Sequence, residues 1–279
     1  MVLGAGGMLG RAVVAAAQAR RHRVALVTHG DCDVTMPADV FAAFNGYGIT
    51  GPDAIINCAG AIPSRGYLPY VVAAVNGVAP HIVARYAADR RIWPATPPVI
   101  HVSTDCVFSG RPEARFPAWA YFTDDRPDPI DLYGRSKLAG EVDAPHVLNV
   151  RTSFVGPDHG LWAWFAAQPE GATVEGWEQA WWTGSTVQAV AAALVTLAEQ
   201  GRTDLAPEER IAHLATANKI NKYTALCLLR EHLGLNVTIT PTAEPWIDRA
   251  LDATVVLPSL ADALAVERTA AAPSAVVSS

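Results

Sequence analysis

The run Gly4-Ala5-Gly6-Gly7-Met8-Leu9-Gly10 is entered from Val2-Leu3 and left through the alanine- and valine-rich stretch 8–20. Few folds accommodate it. A strand that ends in glycines and turns straight into a helix lets bare backbone approach a ligand at the helix N-terminus. There the free N–H groups and the helix dipole attract a pyrophosphate. A lone glycine cluster can be a plain strand–helix turn. Strand, turn and helix in this order at the chain start point instead to dinucleotide binding over Gly4, Gly6, Gly7 and Gly10. Only three residues precede Gly4, so the first strand is short, as in a chain whose start is truncated or misassigned.

Short apolar strands alternate with helical stretches along the rest of the first half, the pattern of a parallel sheet covered on both faces. Residues 23–28 read as a second strand. About 20 residues past the glycines an acid is expected on a ribose 2′-hydroxyl. Asp31 and Asp33 are the candidates for that role, or they cap a turn and the helix after Pro37. The strand itself ends in Thr28-His29, which leaves room for a 2′-phosphate. Residues 53–57 form a buried strand ending in Cys58-Ala59-Gly60-Ala61, small enough for a cofactor to lie close. A long helical stretch is expected over 67–90. It carries Asn76, a candidate cofactor contact or a loop tie. Residues 98–102 deliver Ser103-Thr104-Asp105 at a strand's carboxyl end, where open α/β sheets bind ligands. A hydroxyl there serves a substrate carbonyl or a backbone group. Residues 108–129 read as an ordered loop and 147–151 as a further strand.

Tyr133 and Lys137 stand four residues apart, one helical turn on one face. A free tyrosine, with a pKa near ~10, is a poor proton donor or acceptor at neutral pH. An ammonium one turn away is expected to lower that value and make Tyr133 an acid–base group. YxxxK alone fits any surface helix; the glycine run and the Ser-Thr-Asp strand end give it weight.

Past residue 150 the pattern changes. Five of the eight tryptophans lie between Trp162 and Trp182, either to stack on a nucleotide or to form the core of a small lobe. Helices are expected over 184–200 and 219–233, strands over 211–215 and 237–240. The organisation expected is a Rossmann-like, doubly wound α/β parallel sheet over 1–150, a mainly substrate-binding C-terminal lobe over 151–267 and a disordered tail over 268–279. With 279 residues and 51% hydrophobic content the chain can bury a large core. A net charge of −6 argues against nucleic-acid or anionic-membrane binding. Cys32, Cys58, Cys106 and Cys227 read as reduced thiols of a cytoplasmic protein. Neither a signal peptide, a transmembrane span nor a metal site is expected.

Together the pieces GAGGMLG (4–10), DVT (33–35), NCAGAI (57–62), STDCVFSG (103–110), DLYGRSKLAGE (131–141), RTSFVG (151–156), INKY (220–223) and DRALD (248–252) resemble the extended short-chain dehydrogenase/reductases. Within them the chain is most similar to the dTDP-4-dehydrorhamnose reductase branch, and the pieces keep that family's order. The resemblance implies Thr104, Tyr133 and Lys137 as catalytic residues. It implies a dinucleotide over Gly4, Gly7, Met8, Leu9 and Gly10, with Asp33 and Val34 near the adenine, and a sugar beside Asp105 and Phe154. Cys58, Ala59, Gly60 and Asn76 complete the expected cofactor set, and Trp182 joins the substrate set. The expected reaction is NAD(P)H-dependent reduction of a 4-keto-deoxysugar nucleotide, with NADP(H) favoured over NAD(H), in polysaccharide or dTDP-rhamnose biosynthesis. The expected partner is the nucleotide sugar, with a homodimer as the candidate assembly. The alternatives are an epimerase or dehydratase, for which Asp105 is suitably placed, and a non-catalytic NADP-binding regulatory subunit. The chain departs from the branch at Cys106, where tyrosine is more frequent, at Phe154, where tryptophan is, and at Gly110, where aspartate is.

Overall fold

The computed structural model describes residues 1–48, 50–111 and 120–271. In chain order its first half contains β1 (Val2–Leu3), α1 (Met8–Ala19), β2 (Leu26–Val27), α2 (Pro37–Gly46), β3 (Ile55–Asn57), α3 (Pro69–Ala73), α4 (Ala79–Ala87), β4 (Val99–Val102), α5 (Leu132–Ala139) and β5 (Val147–Thr152). The second half adds β6 (Phe154–Val155), α6 (Gly160–Ala166), β7 (Thr173–Trp177), β8 (Ala180–Trp182), β9 (Ser185–Thr186), α7 (Val187–Glu199), β10 (Ile211–Thr216), β11 (Ile220–Asn221), α8 (Lys222–Leu233), β12 (Thr238–Thr242), β13 (Ile247–Asp248), β14 (Val255–Leu257) and α9 (Leu260–Ala271).

Seven strands form one sheet in the order β14-β10-β5-β4-β3-β1-β2, and every pairing is parallel. The direction of winding reverses between β1 and β3, so the ligand crevice of such a sheet opens where the glycine run leaves β1. β3 and β4 are buried at every residue, as strands covered on both faces must be. One face is covered by α1 and α7, whose Val13, Ala17, Val190 and Leu194 pack on Ile56, Ile100 and Leu214. The other carries α2 and α4, with Phe44, Val83 and Trp93 against Leu3, Ile55 and Val99. A third core, Trp162, Phe165, Val174, Leu226, Leu229 and Leu264, holds the small lobe together. Trp162 therefore belongs to that lobe's packing.

Several expected boundaries move. The strand over 23–28 shrinks to β2 because its one neighbour, β1, offers two residues to pair with, Val2 to Leu26 and Leu3 to Val27. The helix over 67–90 is broken by a π turn at Ala74–Val78. Pro80 has no N–H for the carbonyl of Asn76, so the helix widens there before α4 resumes. Residue 150 does not separate two bodies in space, since α7, β10 and β14 return to the main sheet. Residues 268–271 of the expected disordered tail continue α9, while 272–279 lie outside the described residues. Within the expected loop 108–129, residues 112–119 also lie outside them. The flanks are tied down by Ser109 N donating to Asp128 Oδ1 at 2.7 Å and Tyr121 N to the Ala250 carbonyl at 2.8 Å. No helix among the described residues is long and apolar enough to cross a membrane.

Candidate active site

The carboxyl ends of β1, β3, β4 and β5 and the first turns of α5 converge on a cleft of about 300 Å³. Gly7, Met8 and Leu9 line one side, Cys58, Ala59 and Gly60 the floor, and Thr104, Asp105, Tyr133, Lys137 and Phe154 the other side. Gly4 and Gly10 shape the cradle. Gly4 holds φ at +70°, and a Cβ there would lie 2.7 Å from the Ala59 nitrogen; a Cβ on Gly10 would overlap the Gly4 carbonyl. Backbone packed this closely at the start of a 12-residue helix fits a dinucleotide pyrophosphate.

Thr104 is buried and starts the turn after β4. Its Oγ1 accepts from Cys106 N at 3.2 Å and donates to Asp105 Oδ1 at 3.1 Å. Asp131 caps α5 by accepting from Gly134 N at 2.7 Å. A Cβ on Gly134 would overlap the Cys106 carbonyl, so glycine lets the helix meet the β4 turn and brings Tyr133 into hydrogen-bonding reach of Thr104.

The electrostatics differ from the expectation that Lys137 lowers the Tyr133 pKa. Burial, then the proximity of Cys106 and Asp105, push the Tyr133 phenol well above its ordinary value, and only its hydrogen bond to Thr104 acts the other way. Lys137 is buried, and its Nζ donates to the Val102 carbonyl at 2.6 Å. Helical spacing put both residues on one face, but the last carbonyl of β4 decides where the ammonium points. Desolvation lowers Lys137 to about 8, against the opposing influence of Glu141. Burial also raises Asp105, with Arg249 opposing it.

Asn76 lies on the π turn with its side chain spent on protein groups. Its Oδ1 accepts from Ala61 N, its Nδ2 donates to the Ala61 carbonyl, both at 2.8 Å, and also to Ser136 Oγ at 3.0 Å. It ties the β3 loop to α5, the loop-tie alternative. Asp31 Oδ2 accepts from Thr28 N at 2.8 Å and Thr28 Oγ1 at 2.6 Å, and Asp33 Oδ1 from Thr35 N at 3.0 Å and Thr35 Oγ1 at 2.7 Å. Both acids are engaged in turns, and those hydrogen bonds lower their pKa values. Val34 is buried in the core beside α2.

A second cavity of about 250 Å³ shares Asp105, Cys106 and Phe154 with the cleft and is walled by Trp181, Trp182, Ile247 and Arg249. Trp182 Nε1 donates to Ser153 Oγ at 2.7 Å. Thus Phe154 and Trp182 lie together beside Thr104 and Asp105. Sequence reasoning missed Arg249, whose Nη1 donates to Cys106 Sγ at 3.2 Å, and Lys222, which lines the same cavity. Each was visible only as part of a longer similar piece. It also missed the buried pair beneath the site, where Arg151 donates to both oxygens of Glu141 at 2.8 Å and Ser103 Oγ to Oε1 at 2.8 Å. No local pattern marks three residues that lie just after β4, just after α5 and on β5.

A family model described as the RmlD substrate binding domain matches residues 1–246. A probable low-salt glycan biosynthesis reductase of Haloferax volcanii is 34% identical over 204 residues, covering 67% of this chain and 60% of that protein. A dTDP-4-dehydrorhamnose reductase of Mycolicibacterium smegmatis is 35% identical over 161 residues, covering 56% and 45%. The chain thus spans about half the length of these curated relatives. Among solved structures, a dTDP-4-dehydrorhamnose reductase of Clostridium acetobutylicum superposes with a TM-score of 0.77 at 18% identity, over 96% of this chain and 98% of that one. A dTDP-4-dehydrorhamnose reductase of Bacillus anthracis in complex with NADP gives 0.75 at 18%, over 95% and 96%. At such identities the likeness is one of fold.

Proposed function

The chain belongs to the RmlD substrate binding domain family, and from that membership we propose that it reduces a 4-keto group on a nucleotide-linked deoxysugar with NADPH. The observation that carries this reading is the Tyr133 phenol, its pKa raised by burial, lining one cleft with Thr104 and Lys137 beside the glycine cradle. Reduction of a ketone requires a proton for the oxygen as well as a hydride for the carbon. Gly4, Gly6, Gly7, Met8, Leu9, Gly10, Cys58, Ala59 and Gly60 would hold the dinucleotide, whose nicotinamide supplies the hydride. Thr104 orients the carbonyl oxygen and Tyr133 protonates it. Lys137, one turn below, would meet the nicotinamide ribose. Asp105, Phe154 and Trp182 surround the sugar.

NADPH is favoured because β2 runs into Thr28-His29, which leaves room for a 2′-phosphate, and Asp31 is held in a turn by Thr28 through its Oδ2. The Bacillus anthracis structure with NADP supports the same choice. A dTDP-linked sugar of the rhamnose route is the first candidate, since relatives in the Mycolicibacterium and Clostridium proteins carry that activity in their names.

The test is NADPH and NADH oxidation with dTDP-, UDP- and GDP-linked 4-keto-deoxysugars, on the parent and on Tyr133→Phe. The variant keeps the ring and loses the proton, so single-turnover hydride transfer should fall by about 10²–10⁴-fold with cofactor affinity little changed. Equal activity in Tyr133→Phe refutes the mechanism. A second reading, epimerase or dehydratase, draws on the buried Asp105 next to Thr104. Turnover without net oxidation of added cofactor would select it. Tight NADP binding with no turnover on any sugar nucleotide would select a regulatory subunit.

A further inference from the structure

Lys222 is the first residue of α8 and is half-buried. A cation in a helix's first turn opposes the helix dipole, so this lysine is not placed for helix stability. Its Nζ lies 4.2 Å from the centre of the Trp177 ring, and it has neither an ion pair nor a hydrogen bond among the described residues. It lines two cavities at once. One is the 250 Å³ space beside Asp105 and Phe154; the other, of about 660 Å³, lies between α6, β7 and α8 and carries Trp164, Trp177 and Leu161 on its walls. Lys222 therefore stands, with Leu161 and Trp177, on the wall that the two cavities share.

Arg249 lines the first cavity as well. One Nη donates to the Cys106 thiol, a weak acceptor, and its Nε is buried without a partner. The two cations are close enough to repel: Arg249 adds to the desolvation that lowers Lys222. Asp105 is the nearby carboxylate, but burial raises its own pKa and weakens it as a counter-ion. Two cations brought together on the lining of one cavity, without a matched carboxylate, are costly unless a ligand supplies the negative charge.

Resting on the reading of the substrate as a nucleotide sugar, we propose that Lys222 and Arg249 form its diphosphate site. The site joins the sugar cavity at Asp105 and Phe154 to the larger cavity, which then receives the nucleoside. Arg249 reaches the phosphate nearer the sugar. Lys222 takes the one nearer the nucleoside, held over Trp177.

The experiment titrates the full chain, saturated with NADP, with inorganic pyrophosphate, with dTDP, UDP and GDP, and with the corresponding neutral nucleosides. Lys222→Gln and Arg249→Gln should each weaken pyrophosphate and nucleoside diphosphates by roughly 10- to 100-fold, the loss of one charge-assisted hydrogen bond. Neutral nucleosides and NADP should bind as in the parent, which also shows that the variants are folded. Lys222→Arg should retain most diphosphate affinity, and added salt should weaken the parent more than Lys222→Gln. Unchanged diphosphate affinity in both glutamine variants overturns the proposal, as does a parent that binds no diphosphate. The reductase reading fails separately. A parent that reduces a nucleotide sugar with the same KM as Lys222→Gln keeps the activity and loses this site; a parent that binds diphosphates through Lys222 but reduces nothing keeps the site and loses the activity.

Discussion

Replacing Arg151 by methionine tests whether the buried pair beneath the site holds the catalytic geometry. Arg151 and Glu141 are 4% and 8% exposed at their side chains and are joined by two parallel hydrogen bonds of 2.8 Å. The same carboxylate accepts from Ser103, the neighbour of Thr104, while the guanidinium sits 5.2 Å from the Phe108 ring centre. Arg151→Met keeps most of the volume but leaves Glu141 buried with Ser103 as its remaining partner. Orphaning one member of a buried pair costs about 3–5 kcal/mol, whereas an exposed pair is worth about 0–1 kcal/mol. At about 2–4 °C per kcal/mol for a chain of this size, the melting temperature should drop by roughly 6–20 °C. The assay is urea unfolding followed by circular dichroism on the parent, Arg151→Met, Glu141→Met and the double variant. The double variant should recover much of the loss, because no charge is left unpaired. Single-turnover hydride transfer at low temperature, where the single variant stays folded, should still be slower, since Glu141, held by Ser103 without the guanidinium, no longer fixes the Thr104 turn. A loss below about 1 kcal/mol in Arg151→Met, or a double variant as unstable as the sum of the singles, refutes the reasoning.

His213 is fully buried, and desolvation followed by the Arg151 charge lowers it to about 4. The unfolded chain therefore binds this proton more readily between pH 6.5 and 4, and stability falls as pH drops through that window. At pH 5 the loss should be about 2 kcal/mol, and urea midpoints at pH 7.5 and 5 should show His213→Asn losing that much less than the parent. Phe154→Ala and Trp182→Ala should weaken nucleotide-sugar binding more than NADPH binding; unfolding of both would make them lobe core instead, and unchanged sugar-nucleotide affinity would remove them from the pocket.

Local chemistry determined much of this protein. The glycine run could only be a tight strand–helix turn, and Pro37, Asp131 and Asn221 start helices by φ restriction or by side-chain capping. The short, mostly apolar strands at 55–57 and 99–102 had to lie inside a sheet covered on both faces. Thr104, Tyr133 and Lys137 were legible because strand ends and helical turns carry fixed side-chain directions. Tertiary packing decided what those groups do. Desolvation in the closed cleft raises Tyr133, and a carbonyl from another strand takes Lys137, so the neighbour one turn away does not set the phenol's pKa. Asn76 became a loop tie because Pro80 opens the helix and Ala61 lies opposite. Lys222 meets Arg249, and Glu141 meets Arg151 and Ser103, across separations that no helix or strand period encodes. Periodicity records which face of its own element a residue occupies. Burial and the partners that face it arise only when elements distant in the chain come together.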